Sequence, residues 1–297
     1  MRNLPKGMFV PVITPFKEDQ SIDFEGFKKV IDYVLGYGLD GILIAGSTGE
    51  YRTMSHEEQK EVIKKGCEYV DGRVPVLAGV GMYTAENTIE LANYAAKCGA
   101  AWGMVLPPYY QTTTEEGVED FFTEIADGSE IGIVIYNNPL STSVDLTPEL
   151  IHKLAQHENI VGLKDTADME HTCKVISKTK DMEGFAVFQG YEHLILPAYL
   201  VGADGGFGIL MNLLPKEYTE LHELIKAGKW EEAAELNLKM ANLYSMMEAE
   251  PYPGPVKAGM NLIGIPAGGV RKPLVQPTQK LKNEMKKEME KLGYKIS

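Results

Sequence analysis

The sequence has little positive charge for its length. It contains 29 Lys and Arg against 42 Asp and Glu in 297 residues, which gives a formal net charge of −13. Such a surface repels phosphate backbones and anionic lipid headgroups. We therefore expect neither a nucleic acid nor a membrane among its partners.

Long apolar runs are also absent from the sequence. No stretch reaches the roughly 18 consecutive apolar residues that a membrane-spanning helix requires. The first ten residues, MRNLPKGMFV, lack the apolar core and the cleavage site of a signal peptide. We therefore expect a cytoplasmic location.

Cysteine and histidine are too few and too scattered to build a recognisable metal site. The three cysteines, Cys67, Cys98 and Cys173, are odd in number and form no CxxC pair. The six histidines show neither HxH nor HExxH spacing. These absences favour a reducing compartment and predict that no metal takes part in the reaction.

Short apolar runs recur along the first three quarters of the chain. Most are almost continuous in Val, Ile, Leu and Ala, which is typical of strands that are covered on both faces of a parallel sheet. The runs occupy residues 8–13, 41–46, 74–80, 103–107, 131–137, 159–164, 185–190 and 203–209.

Helix signals lie between these runs. Ser55 and Glu58 have the spacing of a capping box, and Thr84 can cap a later helix. Thr147-Pro148 and Pro215 place proline at the start of further helices. Each strand–helix unit has the length that a βα repeat requires.

Eight such units predict an α/β fold, the (β/α)₈ TIM barrel, with a C-terminal helical extension. An open doubly wound sheet is the alternative, but no GxGxxG follows the first strand. We expect one domain over 1–297, with the barrel in 1–229 and the extension in 230–297. The extension is predicted to contain helices at 230–250, 256–263 and 281–292, with prolines at 251, 253 and 255 separating the first two.

Lys164 ends the sixth apolar run, directly after Val161 and Leu163. Most lysines at strand ends extend their ammonium group into water. At the mouth of a barrel, where active sites lie, apolar neighbours remove that water and favour a neutral amine. A neutral amine attacks a carbonyl carbon and forms a Schiff base, which is an electron sink for the adjacent carbon. The position therefore predicts Schiff-base chemistry.

Two further elements suit this chemistry. Tyr136, at the end of the neighbouring strand, could relay the proton that accompanies loss of water. The turn 46–49, GSTG, offers backbone N–H groups and two hydroxyls to a carboxylate, although a turn with only local hydrogen bonds is equally common.

Six motifs then carry a resemblance that runs nearly end to end. They are GSTGE (46–50), PPYY (107–110), YNNP (136–139), GLKDT (162–166), GYE (190–192) and GADGG (202–206). In this order and at these separations, the chain resembles the dihydrodipicolinate synthase/N-acetylneuraminate lyase family of class I Schiff-base aldolases. The resemblance implies a (β/α)₈ barrel with C-terminal helices, a homotetramer or homodimer, and a covalent imine in place of any cofactor.

The resemblance also implies roles for individual residues. Lys164 is the Schiff-base lysine, Tyr136 relays protons, and Tyr110 is the tyrosine lent to a neighbouring subunit. The residues that bind substrate are Gly46, Ser47, Thr48, Thr166, Gly190 and Phe207, of which Thr48 also joins the hydroxyl relay. Phe207 stands where relatives commonly have an aliphatic residue.

Two positions distinguish members of the family. Dihydrodipicolinate synthases usually have an arginine where this chain has Ser141, and a neutral hydroxyl cannot replace a bidentate guanidinium at a carboxylate. N-acetylneuraminate lyases usually have an acidic pair after the glycine and tyrosine of strand seven, which Glu192-His193 matches only in part.

We therefore expect a carbon–carbon lyase that acts on pyruvate and other 2-oxo acids. Its reaction is expected to be aldol cleavage or condensation of the 2-keto-3-deoxy sugar acid type, with an aldehyde as the second substrate. Dihydrodipicolinate synthase (4-hydroxy-tetrahydrodipicolinate synthase) and N-acetylneuraminate lyase remain alternatives. A protein that binds a 2-oxo acid without turnover is the alternative from another class.

Overall fold

The computed structural model describes residues 4–111, 113–249 and 251–296. Its eight strands form a closed parallel barrel in chain order, so the predicted (β/α)₈ fold is confirmed. The strands are β1 (Gly7–Pro11), β2 (Gly41–Ile44), β3 (Val76–Gly79), β4 (Trp102–Val105), β5 (Gly132–Asn137), β6 (Ile160–Asp165), β7 (Ala186–Gln189) and β8 (Gly205–Phe207).

Helices follow the strands, as the sequence predicts. The helices are α1 (Phe24–Leu35), α2 (His56–Val70), α3 (Ala85–Lys97), α4 (Glu115–Gly128), α5 (Pro139–Thr142), α6 (Pro148–Leu154), α7 (Met169–Thr179), α8 (Ile195–Leu200), α9 (Pro215–Lys226), α10 (Trp230–Glu248), α11 (Gly254–Leu262) and α12 (Gln279–Lys291).

The helix-capping predictions are confirmed in detail. Ser55 and Glu58 form a complete capping box, because each side chain bonds the backbone N–H of the other. Thr84 and Thr147 cap α3 and α6 through their hydroxyls. A β-region cap whose oxygen satisfies a free N–H stabilises a helix by about 0.5–2 kcal/mol.

Several predicted bounds are wrong by a few residues. The eighth strand was expected over 203–209 but covers only Gly205–Phe207, because the Ala203 N–H donates to the Ala198 carbonyl of α8 and so belongs to the end of that helix. The second C-terminal helix begins at Gly254 rather than at residue 256, because Pro255 lies in the first turn of α11, where no N–H is required. The first C-terminal helix, α10, was predicted to end at residue 250, which lies outside the described residues. In the structure α10 ends at Glu248.

The chain forms two compact units. The first unit comprises Pro75–Phe207 with the residues up to Gly7, and the second comprises Met8–Val74 with Gly208–Ser297. In the first unit, β5 and β6 pair with Tyr136 opposite Lys164, and β6 and β7 pair with Lys164 opposite Phe188. The single domain over 1–297 stays a prediction.

In the second unit, a buried ion pair joins the turn after β2 to the C-terminal helices. Lys257 on α11 and Glu50 are paired, and both side chains are completely buried. The Lys257 ammonium also donates to the Gly269 carbonyl at 2.8 Å and lies 4.4 Å from the centre of the Phe16 ring. The Arg271 N–H donates to the second Glu50 oxygen at 2.8 Å. The predicted extension is therefore anchored in the core of this unit.

We predict that Lys257→Ala destabilises the protein by about 3–5 kcal/mol, because it leaves the Glu50 carboxylate buried without its cation. The double variant Lys257→Met with Glu50→Gln removes both charges and should recover most of that loss. Urea unfolding followed by circular dichroism measures the difference.

The matched control is Lys28→Ala, which breaks an exposed ion pair with Asp32 on α1. Exposed pairs contribute about 0–1 kcal/mol, so this variant should unfold close to wild type. A Lys257→Ala protein as stable as Lys28→Ala would contradict the assignment of a structural role to the buried pair.

Candidate active site

Lys164 is the fifth residue of β6, and its side chain lies inside the first unit. Only 7% of the residue is exposed, and Val161 and Leu163 before it are buried. The strand is buried along its whole length, which the apolar run 159–164 predicts. A lysine held in this way is kept from water, as a Schiff-base lysine requires.

Two aromatic rings flank the amine. The Lys164 Nζ atom is 4.0 Å from the centre of the Tyr136 ring and 5.3 Å from the centre of the Phe207 ring. The electron-rich face of an aromatic ring attracts a cation, and more strongly where water is excluded. The site is therefore suited to a cationic nitrogen, which is what a protonated Schiff base is.

Tyr136 is also buried, and its hydroxyl is surrounded by polar groups. The Asn138 side-chain amide donates to that hydroxyl at 2.9 Å. Burial raises the pKa of Tyr136, but the nearby Lys164 ammonium, the Thr166 hydroxyl and the Asn138 amide outweigh it and bring the pKa below the ordinary value of 10.0. A phenol with a lowered pKa gives up its proton more readily, which suits a proton relay.

Gly190 follows β7 and lies against both Lys164 and Thr166. A Cβ atom at position 190 would overlap the Thr166 hydroxyl and would stand 3.1 Å from Lys164 Cε. The Gly190 N–H donates to the Asp165 carbonyl at 2.8 Å, so the backbone is held at this place. Glycine is the residue that lets the backbone come this close to the lysine.

The first unit therefore brings together five of the residues that the sequence predicts for the site: Tyr136, Lys164, Thr166, Gly190 and Phe207.

The remaining predicted substrate-binding residues form a turn in the second unit. Thr48 is buried whereas Ser47 is exposed. A Cβ atom on Gly46 would come within 2.9 Å of Leu43. Two residues at the ends of this turn, Ala45 and Glu50, have left-handed backbone conformations with φ of 56° and 60°. Such strain in residues other than glycine is concentrated at functional sites.

The hydrogen bonds of this turn differ in part from the expectation. The sequence predicts free N–H groups for a carboxylate, but the N–H groups of Gly49 and Glu50 donate to carbonyls of Gly46 and Ser47 within the turn. The Thr48 hydroxyl shares a short hydrogen bond with the hydroxyl of Tyr252. The N–H groups of Gly49 and Glu50 are therefore engaged within the turn and not free for a carboxylate.

Tyr110 lies apart from the lysine cluster of its unit. Its side chain is 92% exposed, and its backbone is left-handed with φ of 77°. Such an exposed aromatic residue on a strained backbone is available to a second molecule.

Two polar residues at these clusters were missed in the sequence. Asn138 was within reach of prediction, because it stands two residues after Tyr136 in the quoted motif YNNP. Tyr252 had no local signal, because it lies 204 residues from its partner Thr48 and its own neighbours are prolines.

Comparison with known proteins identifies the family of the chain. A model of the dihydrodipicolinate synthetase family matches residues 4–292. The chain belongs to the dihydrodipicolinate synthetase family. A curated relative from Methanococcus aeolicus, named 4-hydroxy-tetrahydrodipicolinate synthase, is 34% identical over 290 residues, which cover 97% of this chain and 99% of the relative.

Solved structures of the family have the same fold. Dihydrodipicolinate synthase from Aquifex aeolicus superposes with a TM-score of 0.94 at 30% identity and covers 99% of this chain and 100% of its own. YagE, a prophage protein of the family from E. coli K12 solved in complex with pyruvate, gives a TM-score of 0.94 at 30% identity, with coverage of 99% and 100%.

Membership of the family makes the protein a carbon–carbon lyase of the class I aldolase type rather than the non-catalytic binding protein considered above. Enzymes of this family use a lysine Schiff base with pyruvate and need no metal or organic cofactor. In the described part of the chain, no three His, Cys, Asp or Glu residues are grouped to hold a metal ion. No helix there is long and apolar enough to cross a membrane.

We predict that Gly190→Ala lowers kcat/KM by about 100-fold, because its Cβ must displace the Thr166 hydroxyl and crowd Lys164, and small misplacements of reacting groups are costly. Steady-state kinetics of pyruvate-dependent turnover measure the change.

Gly184→Ala is the matched control, since a Cβ there meets nothing within 4 Å and the glycine has no left-handed φ. It should retain wild-type kinetics. Equal activities for the two variants would remove position 190 from the site.

Proposed function

We propose that this enzyme is a pyruvate-type aldolase that forms its imine on Lys164 and joins the pyruvate enamine to, or releases it from, an uncharged hydroxyaldehyde. The second product or substrate is then a 2-keto-3-deoxy sugar acid. One observation carries the proposal: the Lys164 amine is buried against the Tyr136 ring beside a hydroxyl with a lowered pKa.

The proposed reaction begins when the Lys164 nitrogen attacks the C2 carbonyl of pyruvate. Tyr136 passes a proton to the carbinolamine oxygen, which leaves as water and gives the iminium ion. Loss of a C3 proton gives the enamine, whose C3 forms a bond to the aldehyde carbon while the aldehyde C=O π bond breaks and its oxygen takes up a proton to become a hydroxyl. Water then adds to the iminium carbon, and the C2–nitrogen bond breaks to release the product. Cleavage runs through the same steps in reverse.

The remaining site residues take the roles that their motifs suggest. Ser47 and Thr48, in the GSTGE turn, are proposed to bind the 2-oxo acid carboxylate, and Thr48 and Tyr110 to extend the hydroxyl relay. The pyruvate complex of YagE supports pyruvate as the 2-oxo acid. The contact between the Lys164 ammonium and the Phe207 ring supports a place for Phe207 beside the imine.

The lack of an arginine at position 141 supports the proposal that the aldehyde is uncharged. Ser141 stands on α5 where a dihydrodipicolinate synthase usually has arginine. The four arginines of the sequence are Arg2, Arg52, Arg73 and Arg271, so residues 74–270 contain none. Arg73 pairs with Asp32, and Arg271 forms a bidentate pair with Glu58. A guanidinium for a second carboxylate is therefore missing from the whole segment that holds Lys164.

Dihydrodipicolinate synthase activity itself is the second candidate. It is favoured by the name of the M. aeolicus relative, which matches this chain almost end to end. That reaction requires an aldehyde that carries a carboxylate and an ammonium group, and Ser141 offers such a substrate only a neutral hydroxyl.

We also propose that the enzyme acts in the cytoplasm as a homotetramer or homodimer. The 92% exposure of Tyr110 supports a second subunit, because an exposed tyrosine can complete the relay only in another molecule.

We predict that wild-type protein incubated with pyruvate and borohydride gains the mass of one reduced pyruvyl group per chain, whereas Lys164→Ala gains none and keeps its fold. Intact mass spectrometry and circular dichroism measure both results. An adduct on Lys164→Ala would show that the imine forms on another lysine and would contradict the role proposed for Lys164.

An aldehyde screen tests the second substrate. With pyruvate, wild type should turn over glyceraldehyde and longer hydroxyaldehydes at least about tenfold better than aspartate semialdehyde, since about 1.4 kcal/mol of missing charge recognition suffices for that ratio.

Ser141→Arg should shift the preference towards aspartate semialdehyde, and Leu140→Arg, which adds the same charge at a neighbouring exposed position, should not. A wild-type preference for aspartate semialdehyde would favour the second candidate instead.

A further inference from the structure

Behind the lysine and the tyrosine lies a second row of polar residues in the first unit. Asn137 on β5, Asp165 on β6 and Gln189 on β7 each follow a residue of the first row, Tyr136, Lys164 and Phe188. The register places Asn137 opposite Asp165 and Asp165 opposite Gln189. Since successive side chains of a strand point to opposite faces, the two rows lie back to back.

Hydrogen bonds connect the second row across all three strands. The Asn137 amide donates to Asp165 Oδ1 at 2.9 Å, and the Thr172 hydroxyl donates to Asp165 Oδ2 at 2.7 Å. The Gln189 amide donates to the Thr172 hydroxyl at 2.9 Å. All four residues are completely buried.

A buried carboxylate needs a nearby cation, and His171 on α7 supplies it. Its Nδ1 atom lies 3.0 Å from Asp165 Oδ2, and its Nε2 atom lies 2.8 Å from the Leu146 carbonyl oxygen. Both partners are acceptors, so both ring nitrogens must carry a proton. The ring is therefore the imidazolium ion while these contacts are kept.

The other charges around His171 agree with this state. Asp145, in the loop before α6, lies 4.0 Å from Nε2, and Asp168 caps α7. The Glu149 and Lys178 side chains pair with each other between α6 and α7. Burial lowers the pKa of His171, but Asp165, the Leu146 carbonyl and Asp145 raise it to a net value of about 9.

We infer that the ion pair of His171 and Asp165 is a positioning element for the aldolase reaction: it fixes the carboxyl ends of β5, β6 and β7 and so holds Tyr136 and Lys164 in reacting geometry. The inference rests on the proposed function, because it assigns the imine to Lys164. The Asp165 side chain points to the opposite face of β6 from that of Lys164, so the role assigned to the pair is positioning and not contact with substrate.

The consequence is a dependence on pH with a definite sign. A histidine whose pKa is higher in the folded protein than in the unfolded chain contributes stabilisation below the unfolded value of 6.5, and this contribution is lost as the pH rises through about 9. Positioning by the charged pair should therefore be complete at neutral pH and should fail in the alkaline range.

The test measures the rate of imine formation with pyruvate between pH 6 and pH 10, by quenching with borohydride and weighing the intact protein. At neutral pH, His171→Gln should form the imine about tenfold more slowly than wild type, since misplaced reacting groups are costly. If deprotonation of His171 causes a decrease in the rate of imine formation at alkaline pH, this decrease should be absent from His171→Gln. A decrease that both proteins show is caused by other groups.

Two further variants separate positioning from folding. Thr172→Val removes the hydroxyl that joins Asp165 to Gln189 without changing any charge, so it should slow imine formation and keep the wild-type pH dependence. Asp127→Asn breaks the pair of the exposed Asp127 with His157 elsewhere in the first unit and leaves the bond from the Asn159 N–H to His157 Nδ1 in place, so it should match wild type throughout.

The outcomes are distinguishable. A His171→Gln protein with the wild-type rate and profile would overturn the inference. If that variant does not fold, a His171 ring signal that titrates near 6.5 in NMR spectra of wild type would overturn it instead. Wild type that forms no imine with pyruvate would overturn the proposed function before any variant is compared, and the positioning role with it.

Discussion

The site depends on holding a lysine amine out of water at the end of a buried strand. An ammonium ion loses much of its hydration there, and this costs several kcal/mol unless neighbouring groups compensate. Here the compensation comes from the Tyr136 and Phe207 rings and from the polar groups around the Tyr136 hydroxyl. The same groups would also stabilise a cationic imine. The contacts that allow the lysine to be buried are therefore also the contacts that Schiff-base chemistry needs.

The two units secure their polar turns by different means. In the first unit, hydrogen bonds run from strand to strand through Asn137, Asp165 and Gln189 behind the reacting residues. In the second unit, the GSTGE turn is held by α11 and by the loop between α10 and α11: Tyr252 of that loop bonds Thr48, and Lys257 of α11 pairs with Glu50. The α11 helix and the loop before it are therefore part of the support for the GSTGE turn.

The sequence predicted what local patterns encode. Apolar runs and capping residues predicted the barrel, and strand-end positions predicted that Lys164 and Tyr136 lie side by side, because a parallel barrel gathers the carboxyl ends of its strands. It did not predict the partners that come from distant parts of the chain. Tyr252 and Lys257 meet residues 204 and 207 positions away, and no spacing rule relates them. The charge on His171 could likewise not be predicted from the sequence, because it depends on two acceptors, Asp165 and the Leu146 carbonyl, that folding brings together.

The one-turn helix α5 has a consequence for which parts of the first unit can change. A side chain at position 190 would displace Thr166 and crowd Lys164, and the second row of polar residues is fully buried, so substitutions at either place are expected to disturb the lysine. The short helix, in contrast, exposes Leu140 and Ser141 and ends at the left-handed Ser143. Substitutions in this exposed turn can therefore change the surface of the first unit without disturbing the buried strands that carry Lys164 and Tyr136.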